Sequence, residues 1–257
     1  MTKLISLFLA ACLGGAALSA AAAPLPRTIA AIKPGVVGIG THLRTRSPAI
    51  VFHATGFVVG DGLSVISNAH AVGSLDTERL ETLGIVTGKG DKLEFRAATV
   101  VAIDRAHDLV HLRLSGAPLP ALTLAGSELA EEGRDLAFTG FPLGIQLGMN
   151  AVTHRALLAA QTPAVLPTPT SRGLNPRTVA TLQRGTPFTL YQLDGTAYPA
   201  NSGSPVYDPD TGAVLAVINM TLVKGTKESA ITDPSGISYA VPVRHVHELL
   251  QQGGAGK

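Results

Sequence analysis

Short apolar runs of period two, broken every few residues by Gly, Pro, Asn or Asp, constrain this chain more than any other feature. Side chains that alternate between two faces suit a strand with one buried side, and they do not suit a helix. Residues 49–59 form one such run, Gly60, Asp61 and Gly62 supply a turn, and 63–67 return, so a hairpin is expected. Further strands are read over 92–103 and 109–114 and then, past a Gly- and Pro-containing link at 116–120, over 135–141, 149–160, 188–193, 203–207, 213–223 and 237–241. The 28 Gly and 17 Pro residues are the punctuation that many strands joined by turns require. Helical spacing appears mainly over 244–252, where Val246, Leu249 and Leu250 share a face. The reading is an all-β chain of two β units, with neither heptads nor solenoid repeats.

Composition narrows the function classes. With 46% hydrophobic and 15% charged residues over 257 positions, the chain can bury a core large enough to offset ordering entropy, which excludes a disordered protein. A net charge of +2 is not the balance of a polyanion binder, so no nucleic-acid partner is expected. Residues 1–23 read as an export signal: Lys3 gives the positive start, 4–18 the apolar stretch and 19–23 a small-residue cleavage zone. Cleavage within 20–23 is expected because Pro24 follows. An uncleaved membrane anchor is the lesser reading, since the segment is short and Ala- and Gly-rich. Cys12 is the only cysteine, so no disulfide can form within the chain. Leu9-Ala10-Ala11-Cys12 resembles a lipoprotein processing box; lipidation of Cys12 is the alternative to a plain signal and would attach the protein to a membrane. Residues 24–257 are taken as one domain outside the cytoplasm, periplasmic or secreted.

The chemistry begins at Ser202, in Tyr198-Pro199-Ala200-Asn201-Ser202-Gly203-Ser204-Pro205. A serine among flexible residues just before an apolar strand can present its hydroxyl and two backbone N–H groups on a tight turn, although such strings also occur as plain turns. His70, in Ser67-Asn68-Ala69-His70-Ala71, follows a predicted strand among small residues and is a candidate base. Asp108, at the mouth of the 109–114 strand, could orient the imidazole. Taken singly, a surface histidine and a turn aspartate are the simpler readings. Taken with Ser202, they form the set that acyl transfer needs.

His70, Asp108 and Ser202 occur in the order His, Asp, Ser of chymotrypsin-like serine proteases. The chain resembles the HtrA proteases most closely. Thr55-Gly56-Phe57-Val58-Val59, Ser67-Asn68-Ala69-His70, Asp108-Leu109-Val110, Gly140-Phe141-Pro142-Leu143-Gly144, Asn201-Ser202-Gly203 and Gly236-Ile237-Ser238-Tyr239-Ala240-Val241-Pro242 match that family in order. Asn201-Ser202-Gly203-Ser204-Pro205-Val206 also resembles the secreted glutamyl endopeptidases. The resemblance implies two antiparallel six-stranded β-barrels, over about 35–120 and 121–243, followed by a helix over about 244–252, with the cleft between the barrels. It implies a serine endopeptidase acting on protein or peptide through Ser202 as nucleophile, His70 as base and Asp108 as orienting group, without cofactor or metal. HtrA proteins usually carry a PDZ domain after the protease; the short stretch after Pro242 leaves no room for one, and a monomer is expected.

The N–H groups of Ala200 and Ser202 would form the oxyanion hole. Ala200 departs from the family's glycine, and if φ > 0 is required there its side chain costs roughly 1–2 kcal/mol. A hole misformed at rest, or a catalytically silent protein that binds peptides or protein partners, is the alternative this suggests. The resemblance implies that Thr196, six residues before the nucleophile, lies at the floor of the specificity pocket and that Val217, Ile218 and Asn219 line its wall. A neutral floor and a wall without histidine argue against Lys, Arg or Glu preference and favour cleavage after small or medium aliphatic residues. The Pro-rich stretch 162–187, with Arg172, Arg177 and Arg184 and no acidic residue, is expected to be a long loop controlling access to the cleft. His107 with His111, and His245 with His247, read as solvent-facing pairs rather than metal ligands.

Overall fold

The computed structural model describes residues 25–73, 81–90, 92–164, 188–219 and 236–254. The expected export signal and all but the first residues of the expected 162–187 loop lie outside the described residues; Thr162 and Pro163 end a strand.

Among the described residues, twelve strands close into two six-stranded antiparallel barrels, as the resemblance implied. The first contains β1 (Val36–His42), β2 (Ile50–Val59), β3 (Ser64–Asn68), β4 (Thr82–Lys89), β5 (Lys92–Asp104) and β6 (Leu109–Leu114), in the order β1-β2-β3-β6-β5-β4. The second contains β7 (Asp135–Gly140), β8 (Val152–Pro163), β9 (Thr189–Asp194), β10 (Pro205–Tyr207), β11 (Val214–Ile218) and β12 (Ile237–Pro242), in the order β10-β11-β12-β9-β8-β7.

Period-two alternation explains why both faces of the central strands are apolar. On β2, Ala54 and Val58 belong to the interior of the first barrel, with Val65, Val110 and Leu112. Phe57 and Val59 point the other way, into a shared cluster with Ala137, Tyr207, Val214 and Val217 of the second barrel. Leu136, Phe138, Leu158 and Ile218 fill the second barrel. Each such large side chain removed from water contributes about 1.5–3 kcal/mol. The shared cluster seats the barrels against one another, and the segment between them bridges both, pairing Leu122 with Val59 and Leu124 with Val214.

The hairpin at Gly60-Asp61-Gly62 and the strand Leu109–Leu114 lie where the sequence placed them. β1 and β4 were not legible because Gly38, Gly40 and Gly84 interrupt their apolar pattern. Gly84 is needed for space: a Cβ there would lie 2.3 Å from the Arg96 carbonyl oxygen of the neighbouring strand. The expected 149–160 strand starts later, at Val152, because Met149 still has a left-handed backbone, φ 54. Among the described residues, two α-helices flank the barrels. α1 (Leu25–Ile32), which the sequence reading missed, buries Thr28 and Ile32. α2 (Arg244–Gly254) buries His245, Val246 and Leu249.

Candidate active site

Strand pairing in the first barrel sets His70 beside Asp108. Asn68 at the end of β3 pairs with Leu109 at the start of β6, so the 3₁₀ turn Ala69–Ala71 emerges against the β5–β6 turn. The Asp108 carbonyl accepts the Ala69 N–H at 3.0 Å and the Asn68 side-chain amide at 2.9 Å. Its carboxylate then holds His70 twice: Oδ1 accepts the backbone N–H at 2.9 Å, and Oδ2 lies 2.6 Å from Nδ1. A carboxylate oxygen only accepts, so Nδ1 carries the proton and Nε2 presents a lone pair. This grip holds Asp108 at φ 55, a region aspartate tolerates better than most side chains. The His70 side chain is one-third exposed.

The second barrel contributes Asn219, whose Nδ2 donates to Asp108 Oδ2 at 3.1 Å. Asn219 was expected on the pocket wall. It stands just past the end of β11, 2% exposed, with its amide on the aspartate. Val217 and Ile218, expected on the same wall, are fully buried, the first between the barrels and the second inside the second barrel. Alternation on β11 sends both faces of that strand into cores.

Ser202 sits on a turn fastened to both barrels. The Asn201 N–H donates to the Tyr198 carbonyl, and the Gly203 N–H to that of Ile218. The Ser202 carbonyl accepts the N–H of Thr55 on β2 at 2.8 Å. Gly203 has φ 84, and a Cβ there would lie 2.0 Å from the Thr55 carbonyl oxygen, so the residue after the serine must be glycine. The same Thr55 carbonyl accepts the hydroxyl of Ser67, three residues before His70. One strand residue thus links the serine turn to the segment that carries the histidine.

Ala200 adopts the left-handed backbone the sequence made questionable, at φ 75. Hydrogen bonds on either side explain how. The Pro199 carbonyl accepts the Leu143 N–H at 2.9 Å, and the Ala200 carbonyl accepts the Thr55 hydroxyl at 2.9 Å. With the Pro199–Ala200 peptide trans, anchoring its carbonyl on Leu143 turns the Ala200 N–H to the opposite edge, where it donates to no group among the described residues. The Thr55 hydroxyl also accepts the Phe141 N–H at 3.1 Å. Thr55 was legible only as part of a strand motif; its hydroxyl, facing the other barrel, has no signature in sequence.

Thr196 is half-buried beyond β9. The Ser238 hydroxyl accepts the Ala197 N–H at 2.8 Å and donates to the Gly195 carbonyl at 2.7 Å, clamping the backbone on both sides of Thr196.

The remaining histidines are not the solvent-facing pairs expected. His111 is 6% exposed, because β6 lies under α2, and burial holds its pKa below the ordinary value. His245 is 5% exposed and stacks on His107, with ring centroids 3.7 Å apart and planes 17° from parallel. His247 lies 2.8 Å, through Nε2, from the Ala125 carbonyl.

Comparison with known proteins agrees with this architecture. Residues 54–217 match the model of the trypsin-like peptidase domain. The mitochondrial serine protease HTRA2 of Bos taurus is 30% identical over 225 residues, covering 86% of this chain and 41% of that protein. A probable periplasmic DegP-like serine endoprotease of Halomonas elongata is 25% identical over 77% of this chain and 34% of its own length. The chain therefore spans about two fifths or less of these curated relatives. Among solved structures, the active form of the Rv3671c protease from M. tuberculosis superposes with a TM-score of 0.61 at 24% identity, covering 90% of this chain and 85% of that one. The HtrA-type protease AlgW with tripeptide gives 0.61 at 18% identity, over 88% and 62%.

Proposed function

The chain belongs to the trypsin-like peptidase family and has HtrA serine proteases as homologues, and from that premise we propose that it is a serine endopeptidase working through Ser202, His70 and Asp108. The observation that carries the proposal is the double grip of Asp108 on His70, at 2.9 and 2.6 Å, which leaves Nε2 as the basic nitrogen. His70 Nε2 takes the proton of Ser202 Oγ as that oxygen attacks a peptide carbonyl, and Asp108 stabilises the imidazolium that forms. The carbonyl oxygen, now negative, accepts the N–H groups of Ala200 and Ser202. Collapse of the tetrahedral species releases the amine, which takes the proton back from His70. Water then repeats the sequence on the acyl-enzyme and frees Ser202.

The substrate is a protein or peptide chain cleaved after a small or medium aliphatic residue. Thr196, held between Gly195 and Ala197 by the Ser238 hydroxyl, supports this, because a neutral floor offers no counter-charge to Lys, Arg or Glu. The site of action is outside the cytoplasm, with 1–23 removed as a signal; among the described residues no helix is long and apolar enough to cross a membrane. Hydrolysis of a peptide library by the mature protein tests the reading. Cleavage after Val or Ala, abolished by Ser202→Ala in a protein with an unchanged circular dichroism spectrum, is the expected result. Undiminished hydrolysis in that variant overturns the mechanism, and a dominant preference for Arg, Lys or Glu overturns the specificity.

A further inference from the structure

We propose that His107, His245 and Glu248 form a binding site for a divalent transition-metal ion, Zn²⁺ in the first instance, that fastens the C-terminal helix to the turn carrying Asp108. One ligand atom from each of the three side chains lies within 4.8 Å of the others. The three come from two distant parts of the chain. His107 precedes Asp108 in the β5–β6 turn, and His245 and Glu248 are three residues apart on α2, which puts them on one face of the helix.

The surroundings of His107 are those of a metal-bound imidazole. Asp104 Oδ2 lies 2.5 Å from His107 Nδ1, and Asp104 Oδ1 accepts the backbone N–H groups of Ala106 and His107 at 3.0 and 3.1 Å. The carboxylate therefore fixes the proton on Nδ1 and directs the Nε2 lone pair outward, the arrangement in which a second carboxylate shell raises ligand basicity. On α2, Glu248 Oε2 lies 2.9 Å from His245 Nδ1 and is the open side of the cluster, with its side chain 54% exposed. Phe188 packs edge-on against His107 at 4.5 Å and against His245 at 5.6 Å, closing the apolar side.

The chemistry selects the ion. Two imidazoles and a carboxylate suit Zn²⁺, Ni²⁺ or Cu²⁺, whereas Mg²⁺ and Ca²⁺ require mostly oxygen ligands. Binding has a definite cost in rearrangement. His245 must leave its stack on His107 and give up the 3.3 Å contact from Arg244 Nε to its Nε2. The negative charges of Asp104 and Glu248 offset the positive charge of Arg244 in the filled site. An ion held there ties α2 to the residue next to Asp108, and so bears on the triad without touching it.

The test is isothermal titration of ZnCl₂ into the full chain carrying Cys12→Ser and His70→Ala, so that neither the thiol nor the exposed imidazole competes. One equivalent bound with a micromolar or tighter Kd, with no heat from MgCl₂, is the expected result. Added singly to this background, His107→Gln and Glu248→Gln should each weaken binding at least ~10-fold, as losing a ligand or its orienting partner does. Glu248 is exposed, so its variant remains informative even if His107→Gln folds poorly. Absence of saturable binding at one equivalent, or binding undiminished by Glu248→Gln, overturns the site.

Discussion

Replacing Ala200 by glycine separates two ways in which the turn before Ser202 could work. Ala200 stands at φ 75, where its Cβ costs roughly 1–2 kcal/mol relative to a residue without one. Glycine relieves that strain but loosens the unfolded chain, which takes back about 0.4–1 kcal/mol. The net gain is therefore about 1 kcal/mol, or a rise in Tm of roughly 2–4 °C for a domain of this size. The hydrogen bonds from Leu143 to the Pro199 carbonyl and from Thr55 to the Ala200 carbonyl already set the peptide plane. Glycine should thus leave kcat/KM within about threefold, since the Ala200 N–H needs no reorientation. Scanning calorimetry with steady-state hydrolysis of a peptide ester measures both quantities. A fall in Tm would refute the strain argument. A rise in kcat approaching the 10²–10³ that one oxyanion donor is worth would show that alanine holds the hole misformed at rest.

The cross-barrel bond from Asn219 to Asp108 should matter to turnover. A hydrogen bond to a charged group contributes about 1.5–3 kcal/mol, so Asn219→Ala should lower kcat/KM about 10- to 150-fold, and a loss under threefold would show that His70 holds Asp108 without help. Acid should destabilise the fold. His111, His154 and His245 all have pKa values held down, foremost by burial, so the folded state prefers their neutral form. Their contribution is complete above the unfolded histidine pKa of about 6.5 and is lost as pH falls from there toward the lower folded values. The urea midpoint should accordingly drop between pH 7.5 and 5.5, and His111→Leu should flatten that drop; an equal slope in the variant would exclude His111 as a source.

Strands were readable from sequence wherever apolar alternation ran unbroken, as in β6 and in the hairpin of β2 and β3, whereas their closure into two barrels was implied by the family resemblance. Strands were hidden where close approach needed glycine, as at Gly84, because glycine erases the pattern that identifies a strand. The residues that meet at Asp108 were visible as types in order, since His70 and Asp108 each follow or precede a strand end in the first barrel. What no linear pattern carries is contact between distant segments. Thr55 reads as one more strand residue, yet its hydroxyl and backbone organise the turn at 200–202. Asn219 is placed on the pocket wall by the family resemblance, and only closure of both barrels puts its amide on Asp108. The histidines were misjudged for a related reason: α2 covers His111 and stacks His245 on His107, a packing that helix periodicity alone does not locate.

The most direct measurement is labelling by a fluorophosphonate, which phosphonylates a serine only when a base and an oxyanion site activate it. Intact-mass spectrometry of the mature protein should show one adduct, located on Ser202 by peptide mapping. The adduct should be absent from Ser202→Ala and slowed by orders of magnitude in His70→Ala. Labelling that persists in Ser202→Ala, or a folded wild-type protein that takes up no probe, would contradict the assignment of Ser202 and His70 as nucleophile and base.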